Sequence, residues 1–316
     1  MPANSLAAAR AACLAALLGM TAACADTAEP LAPSAAPAIT AAAGARPKSA
    51  PTRGLIAFSH SATGDTEIYT VAEDGSNLRR LTFNYGTDHT PTWSPDGKKL
   101  AFISHRNGAV EIYSMNRDGS GIRQLTNLED ETIGIADLAW SPDGRKIAFS
   151  AIPNGPDYWE IYVMNASGSN VTRLTNSPGD DQHPSWSPDG SQIVYASTFG
   201  AQYGASGIAI MNADGSGSVP MFGCASNCYH PAISPDGSAL VYNEGLDLRM
   251  RDLYTGYDWL FAEAGRAATW SPDGVRLAYT TSDSRYVVVT DRDENDPILL
   301  TPFSGHAARF DADWGR

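Results

Sequence analysis

Five times this chain writes the tetrapeptide Ser-Pro-Asp-Gly, at 94–97, 141–144, 187–190, 234–237 and 271–274, with spacings of 47, 46, 47 and 37 residues. In four copies a tryptophan stands directly before it (Trp93, Trp140, Trp186, Trp270), and at 234–237 Ile233 holds that place. A period of this length, flanked by short runs of β-branched and aromatic residues, belongs to a propeller blade rather than to a catalytic motif. Such a repeat cannot bury its faces alone, so copies must stack side by side around an axis.

The turns have physical reasons. Proline presets the φ that a type I turn needs at its second position, and glycine takes the positive φ that follows. A second turn signal, Asp-Gly at 74–75, 118–119 and 214–215 and Ser167-Gly168 in the third unit, has the residue types of a tight hairpin. Asp96, Asp143, Asp189, Asp236 and Asp273 resemble a ring of carboxylates, but recurrence in every unit reads as turn chemistry rather than catalysis.

Each unit carries four strand-like runs. Runs of the Ile-Ala-Phe type fall at 54–59, 99–104, 146–150, 192–196, 239–242 and 276–280, and the tryptophan position recurs at 93, 140, 186, 233, 270 and 314. Both series have six members. The first Ile-Ala-Phe run lacks a motif before it and the last tryptophan lacks one after it, so the two gaps are one gap. The expectation is an all-β, six-bladed propeller of four antiparallel strands per blade. Its ring closes three-plus-one, with the C-terminal strand (about 309–314) innermost in the first blade, which leaves no open sheet edge. A seventh blade would need about 40 further residues.

Residues 1–24 read as a signal peptide, with a short n-region holding Arg10 and an apolar run too short for a permanent span. Cys24 after Ala22-Ala23 resembles a bacterial lipobox, which implies acylation of Cys24; Thr21 departs from the leucine preferred there, and ordinary cleavage after Ala25 is the alternative. Residues 25–53, mostly Ala, Pro, Ser and Thr, read as a disordered tether, and 54–316 as the propeller. Cys224 and Cys228 read as a small disulfide loop suited to an oxidising compartment, the alternative being half of a metal site, for which CxxxC lacks a second pair. The formal charge of −13 disfavours nucleic acid and anionic lipid as partners. Membrane attachment would come only through an N-terminal lipid.

Residues 89–126, HTPTWSPDGKKLAFISHRNGAVEIYSMNRDGSGIRQLT, resemble the WD40-like (PD40) repeat of TolB-type propellers, and the resemblance extends over nearly all of 54–314. It implies a TolB-like scaffold that binds a protein or peptide on one face, monomeric, in the periplasm or anchored at the outer membrane of a Gram-negative-type bacterium. The stretch before Gly54, read as signal and tether, implies a TolB-family propeller lacking the N-terminal domain of TolB proper. An acidic chain suits a partner with a basic surface.

No nucleophile elbow, Walker loop, HExxH or paired CxxC is present, so no catalytic residue is assigned. One constellation stands out. Three residues before the tryptophan position lie Thr90, Asp137, His183, His230, Ala267 and Asp311, equivalent sites expected at the mouth of the axial channel. Thr90, Asp137, His183, His230 and Asp311 are candidate binding residues there. Asp137, His183, His230 and Asp311 can ligate a divalent cation, the one cofactor these residues would hold; the alternative is that the histidines brace adjacent blades through backbone hydrogen bonds. Propeller lyases acting on oligogalacturonides hold a metal with axial histidines, so the alternative functions are a metal-assisted carbohydrate-active enzyme or a glycan-binding module. The strand tryptophans read as inter-blade packing. Loop aromatics Tyr158, Trp159, Tyr203, Tyr257 and Trp259 are the expected recognition residues.

Overall fold

The computed structural model describes residues 54–61, 65–128, 132–154, 158–198, 206–283, 285–292, 297–300 and 308–315, with side chains of Ile133 and of 308–311 excepted. The signal, tether and Cys24 assignments lie outside these residues. The described residues begin with β1 (Leu55–His60), β2 (Glu67–Ala72) and β3 (Arg79–Arg80), followed by a second blade of β4 (Asp88–Trp93), β5 (Lys99–Ser104), β6 (Glu111–Asn116) and β7 (Arg123–Gln124). The third blade is β8 (Thr132–Trp140), β9 (Lys146–Pro153), β10 (Glu160–Asn165) and β11 (Thr172–Arg173). The fourth is β12 (Asp181–Trp186), β13 (Gln192–Ser197), β14 (Gly207–Asn212) and β15 (Val219–Gly223). The fifth is β16 (Cys228–Ile233), β17 (Ala239–Glu244), β18 (Asp247–Asp252) and β19 (Asp258–Ala262), and the sixth β20 (Gly265–Trp270), β21 (Arg276–Thr281), β22 (Val287–Asp291) and β23 (Ile298–Leu299). Finally β24 (Ala308–Gly315) pairs antiparallel with β1, placing Trp314 opposite Ile56 and giving the sheet order β24-β1-β2-β3. The protein is a six-bladed β-propeller closed three-plus-one, as the repeat arithmetic requires.

Strands buried on both faces need near-continuous apolar runs, and β5 (KLAFIS) is buried at all but its first residue. Packing follows the same logic. Among the described residues six hydrophobic clusters occur, each uniting two neighbouring blades. Ile161 and Val163 of the third blade meet Trp186 and Tyr195 of the fourth, and Ala278 and Val287 of the sixth meet Phe58 and Trp314 of the first. The strand tryptophans are therefore inter-blade packing residues. Trp186 Nε1 donates to Ala139 O (3.1 Å) and Trp270 Nε1 to Ala232 O (3.0 Å), each in the preceding blade.

The Ser-Pro-Asp-Gly turns consume their own polar groups. Ser187 Oγ donates to Asp189 Oδ1 (2.6 Å), which also accepts Ser191 N–H (3.0 Å), while Gly190 takes φ +71°. The same set recurs at Asp96, Asp143, Asp236 and Asp273. In blades one to three a buried glutamate at the start of the third strand completes the outer strand: Thr175 Oγ1 donates to Glu160 (2.6 Å) and accepts Ile161 N–H (2.9 Å). Glu67 with Thr82 and Glu111 with Thr126 repeat this contact.

Antiparallel connectivity sorts the loops. The Ser-Pro-Asp-Gly and Asp-Gly turns lie at one end of the ring, the turn end. Connections from second to third strand, and from each outer strand to the next inner one, lie at the other, the loop end. Cys224 and Cys228 form a disulfide within the β15–β16 connection, at the loop end.

Candidate functional site

Thr90, Asp137, His183, His230 and Ala267 share one unusual backbone state, φ between +47° and +56°. None is glycine, and for β-branched Thr90 the left-handed region is a true outlier. Each coincides with a register shift between inner and second strand, as between Gln182 and Ser185 in the fourth blade. These are bulges, and a bulge re-aims a side chain. The residues line an axial cavity of about 450 Å³ that runs to a ring of turn-end prolines including Pro95, Pro142 and Pro188.

Two members of this ring are braced from the preceding blade. His183 N–H donates to Ser150 Oγ (3.1 Å), and Ala267 N–H to Asn243 Oδ1 (3.1 Å). Bracing uses the N–H, not the ring of a histidine. Ala267 is braced with no polar side chain at all.

Three of the ring side chains converge. The donor atoms of Asp137, His183 and His230 all lie within 4.8 Å of one another. His183 Nε2 is 3.7 Å from Asp137 Oδ1, and the two imidazole centroids are 4.0 Å apart at 58°. Ser150 Oγ donates to Asp137 Oδ2 (3.2 Å), leaving Oδ1 turned toward His183. His183 Nδ1 is buried with no hydrogen-bond partner among the described residues. The channel leaves His183 and Asp137 side chains 12% and 16% exposed, yet protein surrounds them densely enough that burial governs their titration. Burial lowers His183 to about 3. Burial, with the neighbouring His183 charge adding to it, lowers His230 to about 3. Burial raises Asp137, against the pull of His230 and the Ser150 hydrogen bond. Both imidazoles are therefore neutral at physiological pH, which leaves one ring nitrogen of each unprotonated.

Asp311 lies on β24, but its side chain is outside the described residues, so the four-residue cation set is described for three members. Thr90 lines the cavity while its Oγ1 lies 2.9 Å from His89 Nδ1. The loop aromatics do not form one surface. Tyr158 (43% exposed) and Trp159 lie at the loop end, the latter half-buried and directed at Gly134. Tyr257 in the β18–β19 connection and Trp259 near the start of β19, stacked with centroids 6.0 Å apart, lie at the turn end. Tyr203 is outside the described residues.

Two features escape a reading by motif. Asp313, one residue before the last tryptophan, lines the channel and bonds both neighbouring blades. Its Oδ2 accepts Trp93 N–H (2.6 Å) and Thr92 Oγ1 (3.0 Å); its Oδ1 accepts Trp314 N–H (2.9 Å) and Thr269 Oγ1 (3.2 Å). Burial still pushes its carboxyl up, against these four bonds. The second is the β3–β4 connection at the loop end, where Phe83 is 73% exposed and Tyr85 wholly so. The signal for it was an aromatic pair in a turn-forming Phe-Asn-Tyr-Gly stretch at 83–86.

Together these features define a class: a six-bladed propeller whose axial channel gathers polar side chains from successive blades. The TolB beta propeller domain (PD40) profile matches residues 34–136 and 132–295, and the chain belongs to that family. A TolB homolog of Chlorobium luteolum is 34% identical over 147 residues, 45% of this chain and 31% of the relative, so the chain matches about a third of that protein's length. TolB from Acinetobacter baumannii superposes with TM-score 0.70 at 22% identity, over 83% of this chain and 66% of that one. An oligogalacturonate lyase in complex with manganese shares the fold at TM-score 0.54 and 15% identity, over 79% of this chain and 74% of that one.

Proposed function

We propose that this TolB-family propeller is an exported, envelope-associated scaffold that binds a protein or peptide through its loop end and catalyses no reaction. The observation that carries the reading is the exposed pair Phe83 and Tyr85, with Arg80 over the Phe83 ring at 4.6 Å. Aromatics held in water on a loop of a rigid ring are suited to be binding anchors. The acidic chain favours a partner with a basic surface. Export follows from the signal-like residues 1–24, with Cys24 acylation as the anchor, and the propeller acts as a monomer.

The test compares the full chain with a Phe83→Ser, Tyr85→Ser variant in capture from envelope extracts. A saturable partner retained at least about tenfold less by the variant, at unchanged circular dichroism, supports the reading. Equal retention by both proteins sinks it. A carbohydrate-active reading rests on a different observation, the convergence of Asp137, His183 and His230, and would be supported by metal-dependent cleavage of an acidic oligosaccharide.

A further inference from the structure

We propose that Asp137, His183 and His230 form a site for one first-row divalent cation of the zinc class, held by one nitrogen of each imidazole and a carboxylate oxygen. Its remaining position faces the axial cavity.

The donors come from the inner strands of three consecutive blades, β8, β12 and β16, at equivalent bulge positions. Zinc bound at about 2.0–2.1 Å to nitrogen and oxygen sets its tetrahedral ligands about 3.3 Å apart. The His183–Asp137 separation of 3.7 Å is within a rotamer adjustment of that value, and the 4.8 Å span bounds the rest. The same 3.7 Å is too long for a direct hydrogen bond, so the pair is not explained as one. Two imidazoles and one carboxylate suit zinc, cobalt or nickel; calcium and magnesium demand mostly oxygen ligands.

A bracing role does not account for these side chains. At His183 and Ala267 the left-handed backbone is held through the N–H group, and Ala267 keeps it with a methyl group. What the rings add is nitrogen beside a carboxylate: His183 Nε2 lies 3.7 Å from Asp137 Oδ1, and His183 Nδ1 is buried with no hydrogen-bond partner among the described residues. A buried ring nitrogen left without a partner is costly. Ser150 supplies the outer support expected of a metal-binding carboxylate, fixing Oδ2 and turning Oδ1 toward the histidines.

The test titrates the metal-free full chain with Co(II) alone, reading visible d–d absorption, then displaces it with Zn(II). The expected result is one saturable equivalent with a tetrahedral-type spectrum. It is lost in His183→Ala and His230→Ala, and weakened at least about tenfold in the near-isosteric Asp137→Asn. His89→Ala, whose ring pairs with His105 at 5.7 Å, leaves it unchanged. Absence of a saturable spectrum in the unmodified chain overturns the proposal whatever the variants do. So does a spectrum that survives intact in His183→Ala and His230→Ala. No partner enters the measurement, so its outcome is separate from that of the capture experiment.

Discussion

Two arcs of the same inner ring solve the problem of a polar group on a propeller axis in opposite ways. At the closing seam, Asp313 accepts four hydrogen bonds, two from backbone N–H groups, and ties β24 to β4 and β20. Across the third to fifth blades, Asp137, His183 and His230 crowd together, with the Ser150 hydroxyl and the His183 backbone donating to Asp137 and no partner for His183 Nδ1 among the described residues. Both arcs are enclosed by protein. The difference is saturation, and it separates a group that holds the ring shut from groups whose bonding capacity is still open. Removing the first should damage stability; removing the second should damage binding and leave the fold nearly intact.

The largest expected effect therefore belongs to Asp313→Ala. It strands two backbone N–H groups and two threonine hydroxyls beside the seam, a loss of about 3 kcal/mol or more. For a domain of this size that is roughly 6–12 °C in melting temperature. Asp313→Asn should not rescue it fully, because both carboxylate oxygens accept backbone N–H and one would become an NH₂ group. A melting shift near zero for Asp313→Ala would remove the seam half of the comparison.

His183→Ala in metal-free protein should lose no more than about 1 kcal/mol, because it deletes contacts to Tyr229 and His230 but no side-chain hydrogen bond. Alanine already holds the left-handed conformation at 267. A thermal melt as damaging as that of Asp313→Ala would make the histidine structural. Thr90→Gly sharpens the contrast from the other side. It relieves a β-branched residue at φ +53° and should stabilise by about 0.5–1 kcal/mol, after the greater chain entropy of glycine is counted. A loss of stability would show that the Thr90 hydroxyl contact with His89 outweighs the backbone strain.

Most of the fold was legible because its determinants are local and repeated. Proline and glycine in Ser-Pro-Asp-Gly mark each turn, the tryptophan marks each inner strand, and their counts place β24 within a residue or two of 309–314. The ring of Thr90, Asp137, His183, His230 and Ala267 was legible for the same reason, through its fixed offset from the tryptophan. Its left-handed backbone was not, since threonine and alanine carry no sign of positive φ. Asp313 was missed because its partners are 220 and 44 positions away in sequence and meet only across the seam. The loop aromatics were grouped by type, but strand direction sends Tyr158 and Tyr257 to opposite ends. Composition carries no such information.

The smallest effect concerns a carboxylate that is saturated but exposed, and it tests whether saturation matters without burial. Hydrogen bonds from the Ser187 hydroxyl, the Ser191 N–H and the Ser191 hydroxyl hold Asp189 at about 2, below its ordinary 3.8. A depressed pKa contributes stability that is present above the unfolded value, and it fades as pH falls through the folded one. The contribution should therefore be complete above about pH 4 and gone below about pH 2. Asp189→Asn should melt slightly below the unmodified chain at pH 7, with the two curves converging toward pH 2. Solvent competes for these bonds, so the neutral-pH deficit should be far smaller than that of Asp313→Ala. Deficits of similar size would mean that the turns, not the closing seam, limit the stability of the ring.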